Sequence, residues 1–199
     1  MNGHQKRAER IREKILRSAS DLILRFGIRQ VSVSRIADAA GVSRVTVFKY
    51  FSSKDALIHH CIRRHFANLT TEIERILNSD DSYRQRLYEL METKNDSTRV
   101  FSNSMDEWLR TESPELVEEI LATRRAAIRD SMIPFLEEGQ RDGYFRDDVS
   151  IDALLTYLDV VGVGVAHSPV YADFSDRRPE EFKEVQKISV SALLRNPDE

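Results

Sequence analysis

Apolar side chains recur along this chain at intervals of three and four residues, and the alternation typical of strands is scarce. Between residues 9 and 26 they fall at Ile11, Ile15, Ala19, Leu22, Ile23 and Phe26, one face of an amphipathic helix. Gly27 follows, and a residue without a Cβ enters the left-handed region past a helix end at no steric cost. Ser32 then stands as the N-cap of a short helix over 33–40 that Gly41 closes, and Ser43 as the cap of another from Arg44 to about Tyr50. Ser52 and Asp55 have capping-box spacing and open a longer helix through Leu77. Four helices thus fit into the first third of the chain.

Past a polar loop at 78–82, helical periodicity resumes over 83–94 and again over 99–110, with Asn95, Asp96 and Ser97 reading as a turn between them. Ser113 followed by Pro114 is a start signal, because proline at the first helical position forfeits a donor that would be unbonded anyway. That helix should reach Asp142 and stop at Gly143. Val149 and Leu154 bracket Ser150 as a hydrophobic staple around an N-cap, opening a helix to about His167 ahead of Pro169. The last helix starts near Pro179 and ends by Arg195. Residues 160–165 have strand propensity, but no partner strand is visible to satisfy the ladder, so they read as helix.

Composition narrows the class. With 41% hydrophobic and 32% charged residues in 199, the chain is a soluble globular protein with room for a substantial core. The lone cysteine, Cys61, makes neither an intrachain disulfide nor a cysteine zinc cage, so the cytosol is the expected compartment. No apolar run approaches the roughly 18 residues that span a bilayer, and the polar start lacks the apolar middle of a signal peptide. The net charge of -3 conceals an asymmetry: residues 1–66 hold 14 Lys and Arg against 5 Asp and Glu, and the remainder 16 against 28. A basic end joined to an acidic one points to a polyanion, with nucleic acid the leading partner.

The segment from Ile36 to Ser43, Ile-Ala-Asp-Ala-Ala-Gly-Val-Ser, places small alanines before a glycine turn, which lets two helices cross closely while the second projects outward. This is a helix-turn-helix, whose second helix enters the DNA major groove with its first-turn residues near base edges. Arg44, Val45, Thr46 and Lys49 would then face DNA. Arg44 can donate two parallel hydrogen bonds to guanine, Val45 and the Thr46 methyl can touch a thymine methyl, and Lys49 and Tyr50 suit phosphates. Val47 and Phe51 are apolar anchors for so short a helix, not readers. Lys6, Arg7 and Arg10 are candidates for an N-terminal arm reaching an adjacent groove.

From Ile36 to Leu57 these residues resemble the N-terminal signature of the TetR family of transcriptional regulators, together with the preceding helix, Gly27 and the junction Phe51-Ser-Ser-Lys54. Phe48 departs from the pattern, where a tyrosine commonly donates to a phosphate. The resemblance implies phosphate contacts by Ser32 and Lys54, both at helix starts where anions are favoured. It also implies an all-α fold of about nine helices: a helix-turn-helix DNA-binding domain over 7–54 and a ligand-binding and dimerisation domain over 55–199. By this resemblance the chain is a regulator, a repressor in the family's default mode, that binds a palindromic operator as a dimer and is released by a small-molecule effector. Helices at the corresponding positions surround an effector cavity in the family, which makes Leu87, Met91, Phe101, Met105, Trp108, Met132 and Phe135 candidate lining residues. Two reading heads about 34 Å apart need a homodimer. Leu154, Leu158, Val161 and Val165 of the penultimate helix, with Val185, Ile188 and Ala192 of the last, offer apolar faces for it.

Other chemistry has weaker footing. His59, His60, Cys61 and His65 put Cys61 and His65 one helical turn apart, but two ligands make no metal site, and Cys61 shares the apolar stripe of Leu57, Ile58, Ile62 and Phe66. No Gly-x-Ser-x-Gly, phosphate-binding glycine loop or dinucleotide fingerprint occurs, so neither an enzyme nor a bound cofactor is expected. The alternatives are a helical protein-interaction module whose basic end meets an acidic protein, and an enzyme in the C-terminal half. Salt-dependent, sequence-selective duplex binding separates the first from a regulator, and turnover the second.

Overall fold

The computed structural model describes residues 3–100, 111, 113–167 and 179–195. Among these the fold is all-α, with eight helices: α1 Gly3–Phe26, α2 Val33–Ala40, α3 Arg44–Tyr50, α4 Lys54–Leu77, α5 Tyr83–Val100, α6 Pro114–Arg141, α7 Ile151–His167 and α8 Pro179–Ser191. The helix expected over 99–110 falls almost wholly outside the described residues. No helix among the described residues is long and apolar enough to cross a membrane.

Several boundaries differ from the sequence reading. Helix α1 begins at Gly3 rather than residue 9, because residues 5–10 contain good helix formers and no breaker. Lys6, Arg7 and Arg10, the candidate N-terminal arm, therefore sit on this helix. Ser53, not Ser52, caps α4: its Oγ accepts the Ala56 N–H at 3.0 Å, one residue ahead of the first helical position. Helix α5 runs through Asn95, Asp96 and Ser97, whose propensity cost of some tenths of a kcal/mol each, without glycine or proline, does not break a helix already formed. Helix α8 stops at Ser191 because the chain turns to pair Leu194 with Phe145. Arg146 N–H donates to the Leu193 carbonyl and Arg195 N–H to that of Tyr144, both at 3.0 Å.

The chain forms two compact units. The first holds α1 to α3, α4 as far as Asn68 and the first turns of α6 to Leu121, so the two units part within α4. The reason is the core: Ile15, Ala19 and Ile23 of α1 meet Ile36 and Ala40 of α2, Val47 of α3, Leu57, Ile58 and Ile62 of α4, and Leu116 and Ile120 of α6. Gly41, at φ +60°, turns α2 toward α3. Val42 N–H donates to the Ala37 carbonyl and Gly41 N–H to that of Asp38, each at 3.0 Å, which closes the α2 end as a Schellman motif.

The second unit contains α4 from Leu69, α5 to Arg99, α6 from Ala122, α7 and α8. Its interior includes Leu69, Ile73, Ile76, Leu87, Leu90, Met132, Phe135, Leu136, Phe145 and Leu193. Around Phe145 the rings of Tyr83, Phe135 and Tyr144 gather with centroids 5.1–5.5 Å apart, the range in which edge-to-face and offset rings attract. The buried Arg86 guanidinium lies 4.6 Å from the Tyr83 ring centroid and 4.9 Å from that of Phe135. Its Nη1 donates to the carbonyl of Leu77, the last residue of α4, at 2.8 Å, so a cation serves the negative end of that helix. Tyr83 donates to Asp142 at 2.7 Å, and burial followed by that carboxylate pushes its phenol up to about 12.

Gly139 in α6 is fixed by this ring cluster, since a methyl at its Cα would overlap the Phe145 ring. Overpacking of this kind costs about 1–3 kcal/mol, more than the roughly 1 kcal/mol of helix propensity gained on going from glycine to alanine. Gly139→Ala should lower the urea midpoint, whereas Gly3→Ala, at the end of α1 and meeting nothing within 4 Å, should leave it unchanged or slightly raised. An unchanged Gly139→Ala midpoint would mean that the Phe145 ring has room to move.

Candidate nucleic-acid interface

The two short helices of the first unit are set by hydroxyl caps. Ser32 Oγ accepts the Arg35 N–H at 3.2 Å and opens α2, and Ser43 Oγ accepts the Thr46 N–H at 3.0 Å and opens α3. The Ser43 and Thr46 hydroxyls share a further hydrogen bond of 2.8 Å. Thr46 is half-buried, and much of its hydrogen-bonding capacity stays within the cap. Val47 and Phe51 enter the core and Tyr50 packs half-buried against it. Arg44, Val45, Phe48 and Lys49 are left exposed on α3. Neither Arg44 nor Lys49 hydrogen-bonds or ion-pairs with another described residue.

Lys54, at the first position of α4, donates from Nζ to the Ile28 carbonyl at 3.1 Å and so ties α4 to the loop after α1. An ammonium has three donors, so this bond leaves capacity for a phosphate. Ser32 is exposed at the start of α2. Ser32, Arg44, Val45, Thr46, Lys49, Tyr50 and Lys54 all lie in the first unit, on α2 and its cap, α3 and the start of α4.

Two cationic features escaped the sequence reading. The exposed Arg35 guanidinium lies 3.7 Å from the centroid of the Phe26 ring, a pairing across the α1–α2 loop that no residue spacing announces. Between α1 and α4, Arg10, Lys14, Arg17, Arg64 and Glu13 line an open depression of about 400 Å³, in which Arg64 and Glu13 pair at 2.6 Å. Only the tertiary packing reveals that Arg64 belongs beside the basic residues of α1.

The histidine and cysteine cluster of α4 disperses. His59 Nε2 is 2.8 Å from Ser113 Oγ, while the buried Cys61 thiol donates to the Leu16 carbonyl at 3.8 Å. Burial pushes that thiol up, away from reactivity. His60 packs edge-on against Phe51, and burial, then Arg12, lowers its pKa. Among the described residues no three His, Cys, Asp or Glu side chains gather to hold a metal. Arg63 donates to Glu119 with Nε at 2.8 Å and Nη2 at 2.7 Å, a second link from α4 to α6 beside the His59–Ser113 bond.

In the second unit Leu87, Met132 and Phe135 are buried and Met91 is half-buried, while Phe101, Met105 and Trp108 lie outside the described residues. Of the apolar faces on α7 and α8, Leu154 is buried within its own chain, Leu158, Val161 and Ala192 are half-buried, and the Val165 side chain is outside the described set. Ile188 is 67% exposed and Val185 is exposed as well. Val160, absent from the sequence candidates, is 64% exposed.

A family model described as bacterial regulatory proteins, tetR family, matches residues 15–61, which span the second half of α1, all of α2 and α3 and the first turns of α4. The HTH-type transcriptional repressor KstR2 of Rhodococcus jostii RHA1 is 23% identical over 154 residues, 74% of this chain and 74% of that protein. The HTH-type transcriptional activator FasR of Mycolicibacterium smegmatis is 34% identical over 76 residues, 38% of this chain and 35% of that protein. Among solved structures, a candidate transcriptional regulator from Saccharomonospora viridis in complex with choline superposes with a TM-score of 0.74 at 21% identity, covering 94% of this chain and 100% of that one, a likeness of fold. Residues 15–61 thus match the helix-turn-helix segment of the tetR family of bacterial regulatory proteins.

Proposed function

We propose that this regulator binds a palindromic operator as a homodimer, through residues 7–54, and is released when a small molecule binds the helical portion over 55–199. The carrying observation is α3: Val47 and Phe51 hold it in the core while Arg44, Val45 and Lys49 stay exposed beside it. Arg44 reads a guanine edge, and Lys49, Tyr50, Lys54 and Ser32 contact phosphates that fix the register. Repression is favoured over activation, because the match to a protein named a repressor extends over 154 residues and that to a protein named an activator over 76.

The exposed Val160, Val185 and Ile188 support a dimer through α7 and α8, since apolar groups of this size left in water gain by meeting a second copy. An effector lodged near Leu87, Met91, Met132 and Phe135, with Phe101, Met105 and Trp108 completing the lining, would act by binding better to a conformation whose reading heads are misplaced. The loss of DNA affinity is then the ligand's differential affinity for the two conformations.

Selection of random duplexes by the purified protein should recover an inverted repeat; failure to enrich any sequence would favour a protein-interaction module. On the recovered duplex, Arg44→Ala should cost about 1–3 kcal/mol and relax one base position in each half-site. Lys49→Ala should weaken all sequences alike and reduce the slope of log affinity against log salt by about 0.9 for each phosphate no longer neutralised. Equal losses on every sequence for Arg44→Ala would remove it from base reading. In sedimentation, Ile188→Glu should shift the protein from dimer to monomer, and a dimer that persists would move the interface elsewhere.

A further inference from the structure

We propose that the depression between α1 and α4 binds a short polyphosphate chain, free or carried by a nucleotide, through Arg10, Lys14, Arg17 and Arg64. The inference stands apart from the DNA reading of α3. Arg10, Lys14 and Arg17 follow one another at the spacings that share a helix face. Arg64 joins them from α4, and together with Glu13 these side chains line the depression of about 400 Å³. A run of charges on one helix is ordinarily a solvated face. Here that face is one wall of a concave site whose other element supplies a fourth cation, and a cleft lined by one sign of charge concentrates counter-ions.

These cations are short of partners. Close by on the same two helices, Arg12 lies 3.8 Å from Glu9 and 5.6 Å from the Phe51 ring centroid, and Arg63 is held by Glu119. In the depression Glu13 is the one carboxylate among the lining residues, and it is taken by Arg64 at 2.6 Å. Arg10, Lys14 and Arg17 neither hydrogen-bond nor ion-pair with another described residue. Four cations against one carboxylate leave an excess of three positive charges, which suits a multivalent anion. Guanidinium groups meet phosphate oxygens bidentately, and the Lys14 ammonium adds a point charge between them. Seven residues separate Arg10 from Arg17, about 10 Å along the helix axis, a span that linked phosphoryl groups cover and a single phosphate ion does not. Among the described residues the lining holds no aromatic or apolar side chain, so nothing there stacks on a base and the recognised part is the phosphate chain alone.

The test is calorimetric titration of the full-length protein with sodium tripolyphosphate, ATP and orthophosphate in magnesium-free buffer at low salt. One tripolyphosphate should bind per chain, ATP should match it within a few-fold, and orthophosphate, which reaches fewer of the cations, should bind about tenfold more weakly. Lys14→Ala and Arg17→Ala should each weaken tripolyphosphate about tenfold, the lower end of what a hydrogen bond to a charged group contributes. Arg25→Ala, which removes an exposed cation from the same helix outside the depression, should change nothing. Absence of binding overturns the proposal, as does an equal loss in all three variants, the mark of adsorption to a basic surface. ATP bound far more tightly than tripolyphosphate would show that a base is read, and overturns it as well. Should Lys14→Ala and Arg17→Ala weaken duplex binding alone, the cations serve the DNA backbone and the small-anion site falls.

Discussion

Everything this chain offers to a duplex depends on burying two side chains, Val47 and Phe51. A helix of seven residues does not persist in water, since its nucleation cost is not recovered over so few hydrogen bonds. The Ser43 cap contributes about 1 kcal/mol, which does not close that gap alone. The remainder comes from Val47 at 1% and Phe51 at 2% exposure, each worth roughly 1.5–3 kcal/mol of burial. Because both ends of α3 are defined, one by a cap and the other by a buried ring, its outer side is presented in one orientation. Reading a groove requires that fixed presentation, because a hydrogen bond to a base edge does not survive a displacement of about an ångström.

The same logic governs α4. The links from its first turns are polar: Lys54 to the Ile28 carbonyl, His59 to Ser113 and Arg63 to Glu119. An exposed pair such as Arg63 and Glu119 adds little to stability, because water and salt screen it. Its value is geometric, because a planar guanidinium in bidentate contact with a carboxylate accepts a narrow range of helix placements. Stability in this unit comes from the Leu57, Ile58 and Ile62 stripe, and register from the polar links beside it.

The helices were legible where a local rule decided them. Ser32, Gly41 and Ser43 occupy the caps that their side chains or missing Cβ dictate, and the apolar face of α1 is buried or half-buried from Ile11 to Ile23, with Phe26 left exposed at its end. Rules of lesser weight failed. The polar triplet at 95–97 reads as a turn because Asn, Asp and Ser favour turns, yet an ongoing helix outweighs a preference of some tenths of a kcal/mol. Pairings across the chain left no trace in the sequence. Arg35 over Phe26, Arg64 beside α1 and the glycine that Phe145 requires at 139 each join residues whose proximity only the packed chain creates.

Periodicity has a further limit at α7 and α8: it identifies an apolar face without saying whose core that face enters. Leu154 and Ile188 look equivalent as residues of amphipathic helices, yet the first is 3% exposed inside its own chain and the second stands in solvent. The Tyr157 hydroxyl donates to the Ser189 carbonyl at 3.3 Å, which shows that α7 and α8 meet within one chain. Residues turned into that meeting are committed to folding, and those turned away stand in solvent. Val160 belongs to the second set although it lies one residue from Val161, a rotation of about 100° on the helix. The same distinction separates Val47 from Val45 on α3, two residues and about 200° apart. On both helices, residues a turn or less apart part company because the chain's own core covers one and leaves the other exposed.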